Sequence, residues 1–232
     1  MKSQSVGNAV EPQWKGLYQA GGSAAFGMIA IMIVQILVFS IWPPPTTVEG
    51  FFELFARNGF LGLLSMDLLY LVNNALLVPI YLALYAAMRR SAESAMLVGL
   101  VLGLVGIAAY FASNTCFEMW ALSGQFAVAA SEGEKIALLG AGQALLQIYR
   151  GTAFDSYYVL NAAALLIFAV VALRSLRFGK VTAYWGLAAG VLMLIPSTVG
   201  MVGLIFSLAS LVPWAVFAVR IGLVMLRWGR SA

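Results

Sequence analysis

The stretch FLGLLSMDLLYLVNNALLVPIYLALYAAMRR, residues 60–90, holds one charged side chain, Asp67, before it stops at Arg89-Arg90. An apolar run of roughly 20 residues or more is long enough to cross a bilayer core of about 30 Å as a helix. Similar runs occupy about 22–42, 95–125, 153–173, 181–195 and 201–226. In hydrocarbon only helices and closed barrels satisfy every backbone group, and these runs lack the alternation a barrel strand needs. The expected fold class is all-α. Residues 1–232 would form a single transmembrane domain of six transmembrane helices, with a short helical outer segment between spans three and four.

Composition supports this. Of 232 residues, 62% are hydrophobic and 9% charged, against roughly 25% charged in a soluble domain. The net charge of +4 does not point to nucleic acid, because the basic residues sit in short loops where membrane topology already accounts for them. The chain has no histidine, which removes histidine ligation of haem, zinc or copper and histidine proton relays. Its single cysteine, Cys116, excludes an intramolecular disulfide. No cofactor is expected.

The amino-terminal run resembles a signal peptide, with Lys2 and Lys15 ahead of it. It is too long for a signal h-region of about 7–15 residues, and it ends at Pro43-Pro44-Pro45. It reads as a retained first span. The segment Thr46 to Gly59 places Glu49, Glu53 and Arg57 among Phe51, Phe52, Leu54 and Phe55, a pattern that predicts a short amphipathic helix on the outer interface. Ser131 and Glu134 form a capping-box pattern opening a helix to about Arg150, and Thr152 with Asp155 suggests a second.

Counting charges orients the chain. With the amino terminus inside, Lys2, Lys15, Arg89, Arg90, Arg174, Arg177, Lys180, Arg220, Arg227 and Arg230 fall on the inner side, and Arg57, Lys135 and Arg150 on the outer. That bias predicts cytoplasmic termini. Trp14, Trp185 and Trp228 fall at inner boundaries, and Trp42 and Trp120 at outer ones.

A carboxylate inside a membrane costs at least roughly 2.5 kcal/mol, so each intramembrane polar residue calls for a reason. Asp67 shares a helical face with Tyr70 and Asn74; Tyr110, Asn114 and Glu118 follow at i, i+4 and i+8; Gln143, Gln147 and Arg150 share a face; Asp155, Tyr158 and Asn161 open span four. The expectation is an outward-facing polar pocket where spans two, three and four converge, with Arg150 paired to Glu118 or Asp155. An unpaired Asp67 would have its pKa raised by desolvation. Plainer readings stand beside this one: Asp155 as a helix cap, Glu118 in the headgroup region, and the asparagines as interhelical hydrogen bonds. Gly99-x-x-x-Gly103 and Gly186-x-x-x-Gly190 suit close packing within the bundle, or contacts with a second copy or other membrane subunits.

Catalytic signatures are missing from the sequence: it has no Gly-x-Ser-x-Gly, no phosphate-cradling loop and no two-carboxylate metal motif. Asp67 with Glu118 is the sole candidate pair for an intramembrane hydrolase. Asn114-Thr-Cys-Phe-Glu118, Ala141-Gly-Gln-Ala144, Gly151-Thr-Ala-Phe154 and Thr182-Ala-Tyr-Trp-Gly186 resemble an uncharacterised bacterial membrane family, domain of unknown function 4386. The resemblance covers 114–190. It implies a six-span plan in a bacterial plasma membrane and no established activity. The functional expectation is a non-enzymatic membrane protein whose pocket binds or passes a small polar or amphiphilic ligand. The alternatives are an accessory subunit of a larger membrane complex and, third, an intramembrane enzyme.

Overall fold

The computed structural model describes residues 11–175 and 177–230. Lys2, counted above among the inner-side cations, lies outside them. Every regular element among the described residues is helical. A 3-10 turn, Pro12–Trp14, leads into α1 (Lys15–Ile41), followed by α2 (Val48–Arg57), α3 (Gly59–Ser65), α4 (Leu68–Met88), α5 (Glu93–Ser113), α6 (Cys116–Val128), α7 (Glu132–Tyr149), α8 (Thr152–Ser175), α9 (Lys180–Leu192) and α10 (Gly200–Arg230). Five helical stretches are long and apolar enough to cross a membrane, by length and composition: Pro12–Ile41, Leu68–Met88, Glu93–Val128, Glu132–Ser175 and Gly200–Arg230. The stretch expected as span five is α9, whose 13 residues extend about 20 Å.

Two expected spans are interrupted. The run 60–88 is a short α3 and a longer α4, separated at Met66-Asp67, where Asp67 takes a left-handed backbone conformation (φ 63°). Asp is among the few non-glycine types that tolerate this region. The run 95–125 divides at Asn114-Thr115 into α5 and α6. No proline or glycine marks either break, which is why the sequence reads as continuous helix there.

The chain divides into two compact units. The first comprises Met1–Ile29, Ala75–Ile107 and Tyr157–Ala232; the second comprises Ala30–Asn74 and Ala108–Ser156. Helices α1, α4, α5 and α8 contribute residues to both.

The first unit is a packed apolar bundle. Ile80, Leu84, Met96, Leu165, Phe168, Phe217, Ile221 and Met225 are fully buried in its core. Glycines let large rings come close. A Cβ on Gly99 would stand 2.9 Å from the Phe168 ring, and one on Gly186 would stand 3.0 Å from Phe217 and 3.1 Å from Ala169. Gly103 faces Tyr81, and Gly190 faces Leu166. All four glycines of the two small-residue motifs are therefore covered by side chains of this same chain. The buried Tyr81 hydroxyl donates to Asn161 Oδ1 at 2.7 Å, and Asn161 Nδ2 returns to the Tyr157 carbonyl at 3.0 Å. Arg220 Nε donates to Thr182 Oγ1 at 2.9 Å, tying α10 to α9.

The second unit gathers short helices. Thr47 caps α2 by accepting from the Gly50 amide at 3.2 Å, and Val48, Phe51, Phe52 and Phe55 form its buried face. The expected amphipathic helix is present, but its apolar face is covered by protein where the sequence suggested a membrane surface. Phe55 stacks on Trp120 of α6, Phe52 tilts against Phe126, and Gly142 of α7 leaves room for Val48 and Phe52. The Ser131 half of the expected capping box forms, Ser131 Oγ accepting from the Glu134 amide at 3.2 Å; Glu134 Oε2 reaches back one residue further than expected, to the Ala130 amide at 3.0 Å. At Thr152 the structure differs from the second expected box. Thr152 is already helical, and the Asp155 amide bonds the Gly151 carbonyl at 3.1 Å.

Two glycine substitutions separate close packing from helix propensity. Gly186→Leu should destabilise the protein by about 1–3 kcal/mol through overpacking against Phe217 and Ala169. Gly124→Ala, in α6 with nothing within 4 Å of its Cβ position, should be neutral or stabilising by up to about 1 kcal/mol. Equilibrium unfolding in mixed detergent micelles measures both.

Candidate functional site

The break between α3 and α4 strips carbonyls of their helical partners, and amide side chains from elsewhere take them up. Gln35 Nε2 of α1 donates to the Leu64 carbonyl at 3.3 Å, and Asn114 Nδ2 donates to the Met66 carbonyl at 2.9 Å. Asn114 is also the hinge of the second break: its Oδ1 accepts from the Cys116 amide at 3.1 Å, opening α6 as an Asx turn would. One side chain thus terminates two interrupted helices at once.

Further side-chain bonds close the same unit. The Tyr149 hydroxyl at the end of α7 donates to the Asp67 carboxylate. Thr115 Oγ1 donates to the Leu145 carbonyl at 3.3 Å, and Ser123 Oγ to the Phe52 carbonyl at 3.2 Å. Asn74 Nδ2 donates to the Tyr70 carbonyl one turn back, at 2.9 Å.

Beside its apolar core this unit buries polar side chains that are only partly satisfied. Gln35 and Asn74 are 1% exposed, Ser65 is 3% and Asn73 8%. Gln35 Oε1, Ser65 Oγ, Asn73 Oδ1 and Asn74 Oδ1 have no hydrogen-bond partner. A buried polar group left without a partner costs about 1–3 kcal/mol, so such atoms ordinarily meet water, an ion or a ligand. Two of them flank the break directly: Ser65 is two residues from Asp67, and Gln35 is bonded to the preceding carbonyl.

Placed against the ten candidate residues, this geometry is selective. Asp67 and Asn114 sit at the two breaks, with Tyr70 and Asn74 on the first turns of α4. Glu118, Gln143, Gln147 and Arg150 are exposed. Asp155 is half-buried in the first turn of α8. Asn161 belongs to the first unit, with its hydrogen bonds to Tyr81 and Tyr157 there. The stripe Tyr110, Asn114, Glu118 does not survive the break. Tyr110 is buried, Asn114 half-buried and Glu118 exposed, because the Asn114-Thr115 interruption resets the helical phase. The α7 face Gln143, Gln147, Arg150 points outward, while Gly142, Leu146 and Tyr149 point inward.

The described ion pairs lie elsewhere: Arg57 with Glu53, Arg89 and Arg90 with Glu11, and Lys135 with Glu132. Among these there is no pair between Arg150 and Glu118. The partner of Asp67 is the neighbouring Tyr149, which the charge-based reading passed over. The signal for it was present in the i, i+4, i+7 spacing of Gly142, Leu146 and Tyr149, a helix face with no charge on it. Cys116 is buried, with its backbone amide held by Asn114.

No protein-family model matches the chain, and neither a curated protein nor a solved structure matches it.

Asn114→Leu removes both bonds to the interrupted helices and should destabilise the protein by about 1–3 kcal/mol. Glu118→Gln, at an exposed position, should stay within about 0.5 kcal/mol of wild type. Unfolding in mixed micelles, compared for the two variants, checks the contrast; equal losses would remove Asn114 from the centre of the unit.

Proposed function

We propose that this chain is a non-enzymatic polytopic membrane protein that binds, or passes, a small polar ligand at the interrupted helices of its second unit. The observation that carries the reading is the group of buried, partnerless oxygen atoms on Gln35, Ser65, Asn73 and Asn74, in the unit where Asp67 holds a strained backbone conformation. A non-glycine residue in that region costs on the order of 1–3 kcal/mol, and such strain concentrates at ligand sites. Interrupted membrane helices supply the same kind of support. Their freed backbone groups and a nearby carboxylate are the means by which transport proteins coordinate polar cargo inside hydrocarbon.

In this reading the chain crosses a bacterial plasma membrane six times, with α9 as the fifth crossing and both termini cytoplasmic. The distribution of lysine and arginine supports that orientation. The segment containing α7 lies on the outer side, so the site opens outward. The bilayer is the first partner, and membership of the family domain of unknown function 4386 fits the same plan. Asp67 supplies negative charge to a cationic or hydrogen-bond-donating ligand, and Tyr149 holds the carboxylate in place.

Asp67→Asn is the informative variant, because asparagine also tolerates the left-handed conformation and so removes charge while sparing the backbone. Native mass spectrometry of the protein gently extracted from its membrane should show a small non-covalent adduct on wild type that the variant lacks. A larger assembly with intact partner subunits, unaffected by Asp67→Asn, would instead make the chain an accessory subunit.

A further inference from the structure

A second place in the molecule, wholly within the first unit, has the form of a ligand seat and is independent of Asp67. A cleft of about 290 Å³ runs between the start of α5 and the end of α8. Its floor is apolar. Ala92, just before α5, and Ala95, in its first turn, are small residues that leave space opposite Ile167 and Val170 of α8. Polar groups lie at one end, Ser91 and Arg174.

Several basic residues of this unit are already engaged. Arg89 and Arg90 both bind Glu11, Arg89 also lies over the Trp14 ring, Arg177 over Trp228, and Arg220 is bonded to Thr182. Arg174 has no ion pair or hydrogen bond among the described residues, although it sits in the last turn of α8 at the mouth of the cleft. The first-turn amides of α5 begin beside Ser91 and lack intrahelical acceptors, as at any helix start. They add positive potential at the same end. Glu93 is the nearest acid in sequence, and it does not line the cleft. The flanking side chains are apolar and outward: Leu97, Val98 and Val101 on α5 are each about half exposed, as on a helix face turned to hydrocarbon.

We infer that this cleft is a binding site for an anionic phospholipid, with the phosphate on Arg174 and Ser91 and part of one acyl chain lying over Ala95 between Ile167 and Val170. Three features select that occupant. The volume is small for a drug-sized molecule and suits a length of chain. The seat is apolar along its length and cationic at one end only. In the orientation proposed above, on which this point rests, that end faces the cytoplasm, where anionic lipid is met and where basic pockets between helices take lipid headgroups.

The test is native mass spectrometry of the purified, delipidated full chain offered phosphatidylglycerol or phosphatidylcholine at equal concentration. Phosphatidylglycerol should be retained in preference to phosphatidylcholine. Arg174→Gln should lower its retention about five-fold, the worth of one arginine at an anionic surface, and Arg174→Lys should restore most of it. Ala95→Leu should reduce retention of both lipids by filling the chain seat. Arg227→Gln, an exposed cation near the end of α10, should change nothing. Equal retention of the two lipids would overturn the site, as would an equal loss in Arg227→Gln, which would mean a general surface-charge effect. Full retention in Ala95→Leu would overturn the chain seat. Each outcome is read on lipid retention alone, so it stands apart from the fate of the Asp67 ligand.

Discussion

The carboxamide of Asn114 is the contact on which the second unit depends. It donates to the carbonyl of Met66 and accepts from the amide of Cys116, and those two backbone groups belong to two different helix interruptions. In an apolar setting a carbonyl or amide released from a helix has no water to turn to, and leaving it bare costs more than most side-chain contacts return. The breaks persist because one residue closes both. Gln35 and Thr115 extend the same scheme, each side chain spending a donor on a backbone carbonyl.

This arrangement explains why so few charges are needed in the interior. Amides and hydroxyls anchor the interrupted helices, and the one carboxylate placed at a break is held by a phenol. Three carboxamide oxygens, on Gln35, Asn73 and Asn74, keep no partner, beside one unpartnered hydroxyl on Ser65. Spare carboxamide acceptors favour ligands that bring donors, which means cations, ammonium groups or water. The chemistry of the proposed ligand follows from those acceptors together with Asp67.

The first unit is stabilised by other means. Its core is aliphatic, with methionines filling gaps and glycines opposite aromatic rings. Its interior polar contacts are few, as in the Tyr81–Asn161 pair. Where small residues face branched ones with nothing between them, at Ala92 and Ala95, a cleft remains. The same small-residue chemistry gives tight contact in one place and an opening in another, depending on what stands across from it.

The sequence by itself determined the all-helical class, the run of apolar stretches, the amphipathic α2 and the Ser131 cap. Each is a local or one-dimensional property: length of apolar chain, spacing of charges, a cap three residues from its acceptor. It also marked Asp67 and Asn114 as residues whose presence needed a reason. Only the tertiary structure decided where the helices stop, which face of α7 turns inward, and that Phe51, Phe52 and Phe55 are covered by protein. The interruptions carry no proline or glycine; they exist because Asn114 reaches a carbonyl 48 residues away in sequence. Phase along a helix is reset at each break, so a stripe read through Asn114 assigns Glu118 to the wrong side. The partner of Asp67 is a tyrosine 82 residues distant, and spacing along one helix cannot reveal a bond whose two ends are brought together only by packing.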